Sequence, residues 1–271
     1  MHIYSLRACL FKVSLMVRMV AVVGGKHSGK TTIIQSLIRE LKGRGYKVGS
    51  VKEMPNVKWV DIPETETWKH GEAGAEIVAG SAKNEAALFV KRRLNVGELA
   101  TFFAGFDYVL LEGFESEKSL AKIIAAKDSA EAQAFHDGLA FAISGIIANH
   151  VEEAKKASTL GVPVLDCKRE IERLADRVVQ KALPPFPNLA HCGECGYKSC
   201  HELAKAIIAG TANLEGCPLY KRRDVLLEVD GRVVPLKAFP SLLIKRVLLG
   251  MVSSLSGVSL WGEIKLVVRV T

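Results

Sequence analysis

Residues 24–32 read GGKHSGKTT. Gly24, Gly29, Lys30 and Thr31 fit the spacing G-x-x-x-x-G-K-[ST], a loop that wraps phosphate. Its glycines let the backbone turn tightly and aim N–H groups at phosphate oxygens. A helix opening at the second glycine adds the partial positive charge of its N-terminus. In that arrangement Lys30 reaches the β- and γ-phosphates and the Thr31 hydroxyl ligates Mg2+. The flanks agree with this reading. MVAVVGG (19–25) is a short apolar run ending in glycine, as a buried parallel strand does, and 30–42 is helical in pattern up to Gly43 and Gly45. The whole loop, Gly24, Gly25, Lys26, His27, Ser28, Gly29, Lys30, Thr31 and Thr32, is therefore the expected nucleotide cradle. His27 is placed either to touch nucleotide or a partner or to point outward.

Outward from the loop, strands and helices alternate. YKVGSVK (46–52), EAALFVK (85–91), FDYVLLEGF (106–114), LAKIIAA (120–126), LAFAISGIIAN (139–149) and VPVLD (162–166) read as strands. Small residues at 69–80 suggest a helix, Asn95 with Glu98 a capping box for a helix to about 104, and two more helices are expected at about 150–159 and 168–182. Residues 53–68 show no period and read as a long loop. Such alternation predicts an α/β P-loop NTPase fold, a mostly parallel sheet covered by helices on both faces. A carboxylate is expected beside the metal at the end of a neighbouring strand, and Glu112 follows four apolar residues there. Asp61, in the long loop, is a second acid for the Mg2+ side; Asn149 and Asp166, at strand ends, are candidates for reading a base edge. No Asn-Lys-x-Asp guanine motif occurs.

Composition bounds the rest. At 49% hydrophobic and 24% charged residues, 271 residues suffice for one large domain plus a smaller module. The net charge of +8 sits at the ends: 1–18 hold three basic and no acidic residues, 221–271 nine against four, and 19–220 balance at 25 each. No continuous basic face, membrane span or signal peptide is read, so nucleic acid and membrane are not expected partners and the cytoplasm is the expected compartment. Residues 1–18 read as a flexible arm or an over-long start, since Met16 and Met19 both precede the first strand. The nucleotide-binding domain is expected over 19–182, and ALPPFPN marks a linker at 183–190. A cysteine segment at 191–218 precedes a hairpin–helix–strand module at 219–271, its hairpin turning at Asp230-Gly231.

Cys192, Cys195, Cys200 and Cys217 form C-x2-C-x4-C-x16-C. A reducing compartment disfavours disulfides. Zinc sites commonly present two close pairs, whereas three close thiolates with one distant are the grouping of an iron–sulfur cluster. Cys200 opens a helical stretch that ends near Gly210, and Cys217-Pro218 has the Cys-Pro ending of ferredoxin ligand sets. A [4Fe–4S] cluster is the first reading, with zinc the alternative. The segment also resembles the small four-cysteine [4Fe–4S] domain of redox-complex and corrinoid-protein subunits, with Ala204 and Gly210 in matching places.

VVGGKHSGKTT (22–32), DYVLLEGF (107–114) and AGA (73–75) resemble the molybdopterin-guanine dinucleotide biosynthesis proteins of the MobB type, over about residues 19–182. That resemblance implies a GTP-binding accessory, at most a slow GTPase, that supports a molybdopterin guanylyltransferase. Molybdopterin or a molybdoenzyme would be further partners, and a homodimer is compatible with it. It implies phosphate contacts for Gly29, Lys30 and Thr31, the acidic role for Glu112, and an acid at Asp61. Two departures stand out: Lys52 is followed by Glu53 where the family has Lys-His, and ETET (64–67) replaces Gly-Lys-Asp. The alternative function is a nucleotide-gated iron–sulfur electron-transfer or cluster-carrier protein; a third reading is an adaptor stapled by zinc.

Overall fold

Five short, largely apolar segments build the central sheet. The computed structural model describes residues 17–186, 195–217, 225, 227–229, 232–234 and 238–254. Strand β1 (Arg18–Val23) is the middle of the sheet and is buried from Met19 onward. Helix α1 (Lys30–Gly43) follows the phosphate loop and buries Ile33, Ile34, Leu37 and Leu41, one stripe of a 3.6-residue period. Next come β2 (Val48–Lys52), α2 (Glu66–Glu72), the pair β3 (Ile77–Ser81) and β4 (Ala86–Val90), and α3 (Val96–Phe102). Strand β5 (Tyr108–Glu112), β6 (Ala121–Ala125), α4 (Ser129–Phe135) and β7 (Ala140–Ser144) lead into a 3-10 turn at Ile146–Asn149. Helices α5 (Val151–Ser158), α6 (Ile171–Lys181) and α7 (Cys200–Ala209) follow.

The sheet order is β2-β5-β1-β6-β7, and all four pairings are parallel. β1, β5, β6 and β7 are almost wholly buried, as strands covered on both faces must be. This is the α/β P-loop NTPase fold expected from the alternation. Val22 and Lys52 both lie opposite Glu112 in the ladders, so β1, β2 and β5 end together at one edge. The Asn95–Glu98 capping box forms with both of its bonds, at 2.9 Å each.

Two expectations are corrected. The helix expected over 69–80 ends at Glu72, because Gly74 takes a left-handed φ of 107° as its C-terminal stop. The β-branched residues beyond it form β3, which pairs antiparallel with β4 in a separate two-stranded sheet. The strand expected at 162–166 is reduced to one parallel bridge, Ile143 to Val164. Helix α4, where Asp128 accepts from the Glu131 amide at 2.8 Å, has no counterpart in the sequence reading.

The chain divides into two compact units, Met1–Thr211 and Ala212–Thr271. The second holds an antiparallel pair, β8 (Leu227–Val229) and β9 (Arg232–Val234), and helix α8 (Ala238–Ser253), a small α+β arrangement. The expected turn at Asp230-Gly231, the final strand over 263–270, and Cys192 lie outside the described residues. No helix among the described residues is long and apolar enough to cross a membrane.

Candidate functional site

The loop between β1 and α1 closes on itself. Gly24 has φ 144°, and a Cβ there would lie 1.9 Å from the Ala125 carbonyl oxygen, so β6 admits only glycine beside it. Ser28 is fully buried and donates to the Gly25 carbonyl at 2.9 Å. Lys30 Nζ donates to the carbonyls of Gly24 and Gly25, both at 2.6 Å. Gly29 (φ 102°) caps α1 without a side-chain bond, leaving the first amides of a 14-residue helix aimed at the loop. Lys26, His27 and Thr32 are exposed, His27 with a left-handed φ of 60°.

Thr31 and Glu112 meet although 81 residues separate them. The Thr31 hydroxyl lies 3.1 and 3.0 Å from the two Glu112 carboxylate oxygens, and Lys52 Nζ lies 3.0 Å from Oε1. A hydroxyl and a carboxylate at the mouth of a phosphate loop form the hard oxygen set that suits Mg2+. The donor chemistry therefore fits that ion.

Asp61 is placed elsewhere. It is nearly buried and bonds Lys91 Nζ at 2.6 Å, the Thr67 hydroxyl at 3.0 Å and the Ile62 amide at 2.9 Å. The Lys91 hydrogen bond holds its carboxyl below the usual aspartate range. These bonds tie it to α2 and to Lys91, just past the end of β4, rather than to Thr31 or Glu112. Asn149 is exposed at the end of the 3-10 turn, its Nδ2 3.5 Å from the Ile146 carbonyl. That turn abuts the phosphate loop, since the Ile146 amide donates to Ser28 at 3.3 Å. Asp166 accepts from the Lys168 amide at 2.7 Å and is used locally.

Four residues to which sequence reasoning gave no role shape the site. Glu131 accepts from the Gly25 amide at 3.0 Å and from the Lys127 amide at 2.7 Å, bracing the loop from α4. Its signal was readable, because Asp128-Ser-Ala-Glu131 is a helix start. Gly145 has φ 99°, with its missing Cβ directed at the Ser28 carbonyl. Lys52 faces Glu112, as above. Glu53 accepts from the Phe114 amide at 2.7 Å and from Arg93 at 3.0 Å. It lines a cavity of about 320 Å3 with Arg93, Asn95, Val96, Phe114 and Glu117 at the carboxyl ends of β2 and β5.

Cys200 opens α7, whose N-cap Ser199 accepts from the Glu202 amide at 3.2 Å. The helix is anchored to its own unit: Leu203 and Ala204 are buried, and Lys181 Nζ donates to the Ile208 carbonyl at 2.7 Å. His201 Nδ1 donates to the Lys118 carbonyl at 2.6 Å. Cys195 lies in the turn before α7, and Cys217 is buried just after a 3-10 turn at Leu214–Gly216. Among the described residues, no three His, Cys, Asp or Glu side chains gather as a metal site.

Residues 19–148 match the family model "Molybdopterin guanine dinucleotide synthesis protein B" (MobB), and residues 190–219 match the model "Putative Fe-S cluster". A Methanocaldococcus jannaschii protein named "Putative molybdopterin-guanine dinucleotide biosynthesis adapter protein" is 28% identical over 246 residues, 89% of this chain and 93% of its own. The Escherichia coli "Molybdopterin-guanine dinucleotide biosynthesis adapter protein" is 29% identical over 121 residues, 42% of this chain and 69% of its own. The crystal structure of Bacillus subtilis MobB aligns with TM-score 0.47 at 22% identity, covering 61% of this chain and 98% of that one. Over residues 19–148, the chain carries a MobB family domain.

Proposed function

We propose that this protein is a GTP-binding adapter of molybdopterin guanine dinucleotide biosynthesis that works beside a molybdopterin guanylyltransferase, with an iron–sulfur module at its C-terminal side. The observation that carries this reading is the Thr31–Glu112 contact at the mouth of the phosphate loop of a MobB family domain. The named relative in Methanocaldococcus jannaschii, aligned over 89% of this chain, supports the biosynthetic role and extends it past the nucleotide domain.

In this reading the loop amides and the N-terminus of α1 bind the phosphates. Lys30 exchanges the carbonyls of Gly24 and Gly25 for phosphate oxygens. Thr31 and Glu112 hold Mg2+, which when bound neutralises charge on the β- and γ-phosphates. Lys52 balances the Glu112 carboxylate. Asn149, on the turn beside Ser28, reads the guanine edge, and Asp61 orders its own loop through Lys91 and Thr67. Hydrolysis is slow, so the nucleotide sets the grip on the guanylyltransferase, on molybdopterin or on a molybdoenzyme rather than driving turnover. The chain acts in the cytoplasm as a homodimer, with the nucleotide domain over 19–182, the linker at 183–190 and the cluster segment at 191–218. Cys192, Cys195, Cys200 and Cys217 are the ligands of a [4Fe–4S] cluster, supported by their spacing and by the match over 190–219.

The test uses the full chain purified anaerobically. We expect guanine over adenine nucleotide in equilibrium binding, stimulation of dinucleotide formation by a molybdopterin guanylyltransferase, and iron and sulfide in equal amounts. Preference for ATP with no stimulation would sink the adapter reading. Zinc without iron would sink the cluster. A second reading, a nucleotide-gated iron–sulfur carrier, is favoured by one contact: the loop that leaves Glu112 supplies the Lys118 carbonyl that anchors His201, next to Cys200. Iron release that changes with bound nucleotide, without stimulation of the guanylyltransferase, would select it.

A further inference from the structure

The chain leaves Glu112 through a turn that Gly113 accepts and Phe114 does not favour by itself. Gly113 and Phe114 have φ of 95° and 59°, and a bulky side chain seldom occupies the left-handed region of Phe114. Such a conformation persists only where surrounding contacts over-determine it. Here four bonds do so, one of them from the Glu117 amide to the Phe114 carbonyl at 3.2 Å. The Gly113 amide donates to the Val22 carbonyl at 3.1 Å, the Glu53 amide to the Glu112 carbonyl at 2.9 Å, and the Phe114 amide to Glu53 Oε2 at 2.7 Å. Only the last is made by a side chain. Its carboxylate is braced by Arg93, whose own side chain is 87% exposed. Space is also matched, for a Cβ on Gly113 would come within 3.1 Å of Glu53 Cβ.

We infer that Glu53 is a positioning residue for the metal side of the nucleotide site. Its carboxylate holds the Gly113–Phe114 turn, and the turn aims the Glu112 carboxylate at the Thr31 hydroxyl. Lys52 and Glu53, adjacent in sequence, divide the work: one contacts the carboxylate of Glu112 and the other fixes the backbone behind it. The inference rests on the nucleotide reading above for its metal. Its geometric half, the hold on the turn, stands without nucleotide.

The experiment compares wild type, Glu53→Ala, Glu53→Gln and Arg93→Ala in the full chain. Two quantities are read. One is the Mg2+ concentration that half-saturates its effect on fluorescent guanine nucleotide affinity, alongside affinity in EDTA. The other is hydrogen–deuterium exchange over 112–116 in nucleotide-free protein. A hydrogen bond to a charged acceptor is worth about a tenfold change or more. Glu53→Ala is therefore expected to raise the Mg2+ midpoint about tenfold, leave EDTA affinity within about twofold, and speed exchange over 112–116. Glu53→Gln keeps an acceptor for the Phe114 amide and should recover most of both effects, and Arg93→Ala should stay within about twofold of wild type.

Equal losses with and without Mg2+ would reduce Glu53 to a structural residue and overturn the inference. An unchanged exchange rate in Glu53→Ala would overturn it with nucleotide binding intact. A wild type that binds no nucleotide would instead refute the nucleotide reading, and the metal role of Glu53 with it, whatever the exchange data show. Unfolding midpoints identify a variant that has lost its fold; the Gln variant then decides, and failure to restore wild-type exchange over 112–116 overturns the inference.

Discussion

Replacing Gly145 by alanine would press on the phosphate loop from behind. Its φ of 99° and ψ of −151° lie in a region that glycine alone occupies comfortably, at a cost of roughly 1–3 kcal/mol for another residue. The new Cβ would sit 2.3 Å from the Ser28 carbonyl oxygen, and moving to the 3.0 Å that real Cβ atoms respect requires a shift of 0.7 Å. Retreat is blocked by the Ala126 carbonyl oxygen at 3.1 Å and its amide nitrogen at 3.2 Å, so the loop must yield at Ser28. Ser28 is fully buried and ties Gly25, so the displacement reaches the cradle. We expect a stability loss of about 3 kcal/mol, or roughly 6–12 °C in Tm for a unit of this size. Guanine nucleotide affinity should fall on the order of tenfold, the loss that goes with weakening a hydrogen bond to a charged phosphate. Gly161→Ala is the control, since φ is 73° there and nothing lies within 4 Å of the added Cβ. It carries strain alone, about 1 kcal/mol, and should leave nucleotide binding unchanged. Thermal unfolding and nucleotide titration of the two variants decide the matter. A Gly145→Ala protein no worse than Gly161→Ala by either measure would refute the claim that β7 and its turn support the loop.

Asp137→Asn should destabilise the protein by about 3 kcal/mol in urea unfolding, the low end for breaking a buried pair. Lys122 is 2% exposed and would keep only neutral acceptors, among them the Glu115 carbonyl, now at 3.1 Å; a loss under about 1 kcal/mol would mean that its charge is solvated. Burial pushes the Asp137 carboxyl up, but the hydrogen bond and charge of Lys122 more than offset this and hold it below the usual range. Asp61 is likewise lowered, chiefly by Lys91, so its contribution to stability is full above the unfolded value near 3.9 and is lost as pH falls through the lower folded value. The stability gap between wild type and Asp61→Asn should thus be constant from pH 7 to about 4 and shrink only below it; a gap that closes by pH 6 would contradict the ion pair. Glu112→Gln should abolish most of the Mg2+-dependent gain in nucleotide affinity, about tenfold or more, with EDTA affinity unchanged. Equal affinity with and without Mg2+ in wild type would remove Glu112 and Thr31 from the metal site.

Much of the fold was legible because its signals are local. The phosphate loop is contiguous in sequence, and β1, β5, β6 and β7 are apolar runs bounded by polar or glycine residues. The Asn95–Glu98 box spans four residues and forms as expected. Strands flanking Asp230-Gly231 pair in the register that a two-residue turn requires, Val229 opposite Arg232. Misreadings arose where local preference was divided. Residues 69–80 are small and helix-compatible, but Gly74 stops α2 and Ile77-Val78 join a strand. VPVLD has the composition of a strand, yet lies beyond the end of the ladder and contributes one bridge.

Sequence alone determined that a phosphate-binding loop joins a buried strand to a helix, because backbone freedom at glycine and the charge of one lysine are local properties. It also singled out Glu112, a carboxylate closing an apolar strand, as the candidate acid beside that loop. Tertiary structure alone decided what Glu112 meets. The parallel ladders set Lys52, Val22 and Glu112 at one level, so residues separated by 30 to 90 positions converge on a single edge. It likewise assigned Asp61 to Lys91, because two loop-borne charges pair with whatever the intervening hairpin brings near. Glu53 and Gly145 met their partners in the same way. The Glu53 carboxylate that accepts from the Phe114 amide carries no pattern in its own neighbourhood, only in the strand order that brings the amide to it.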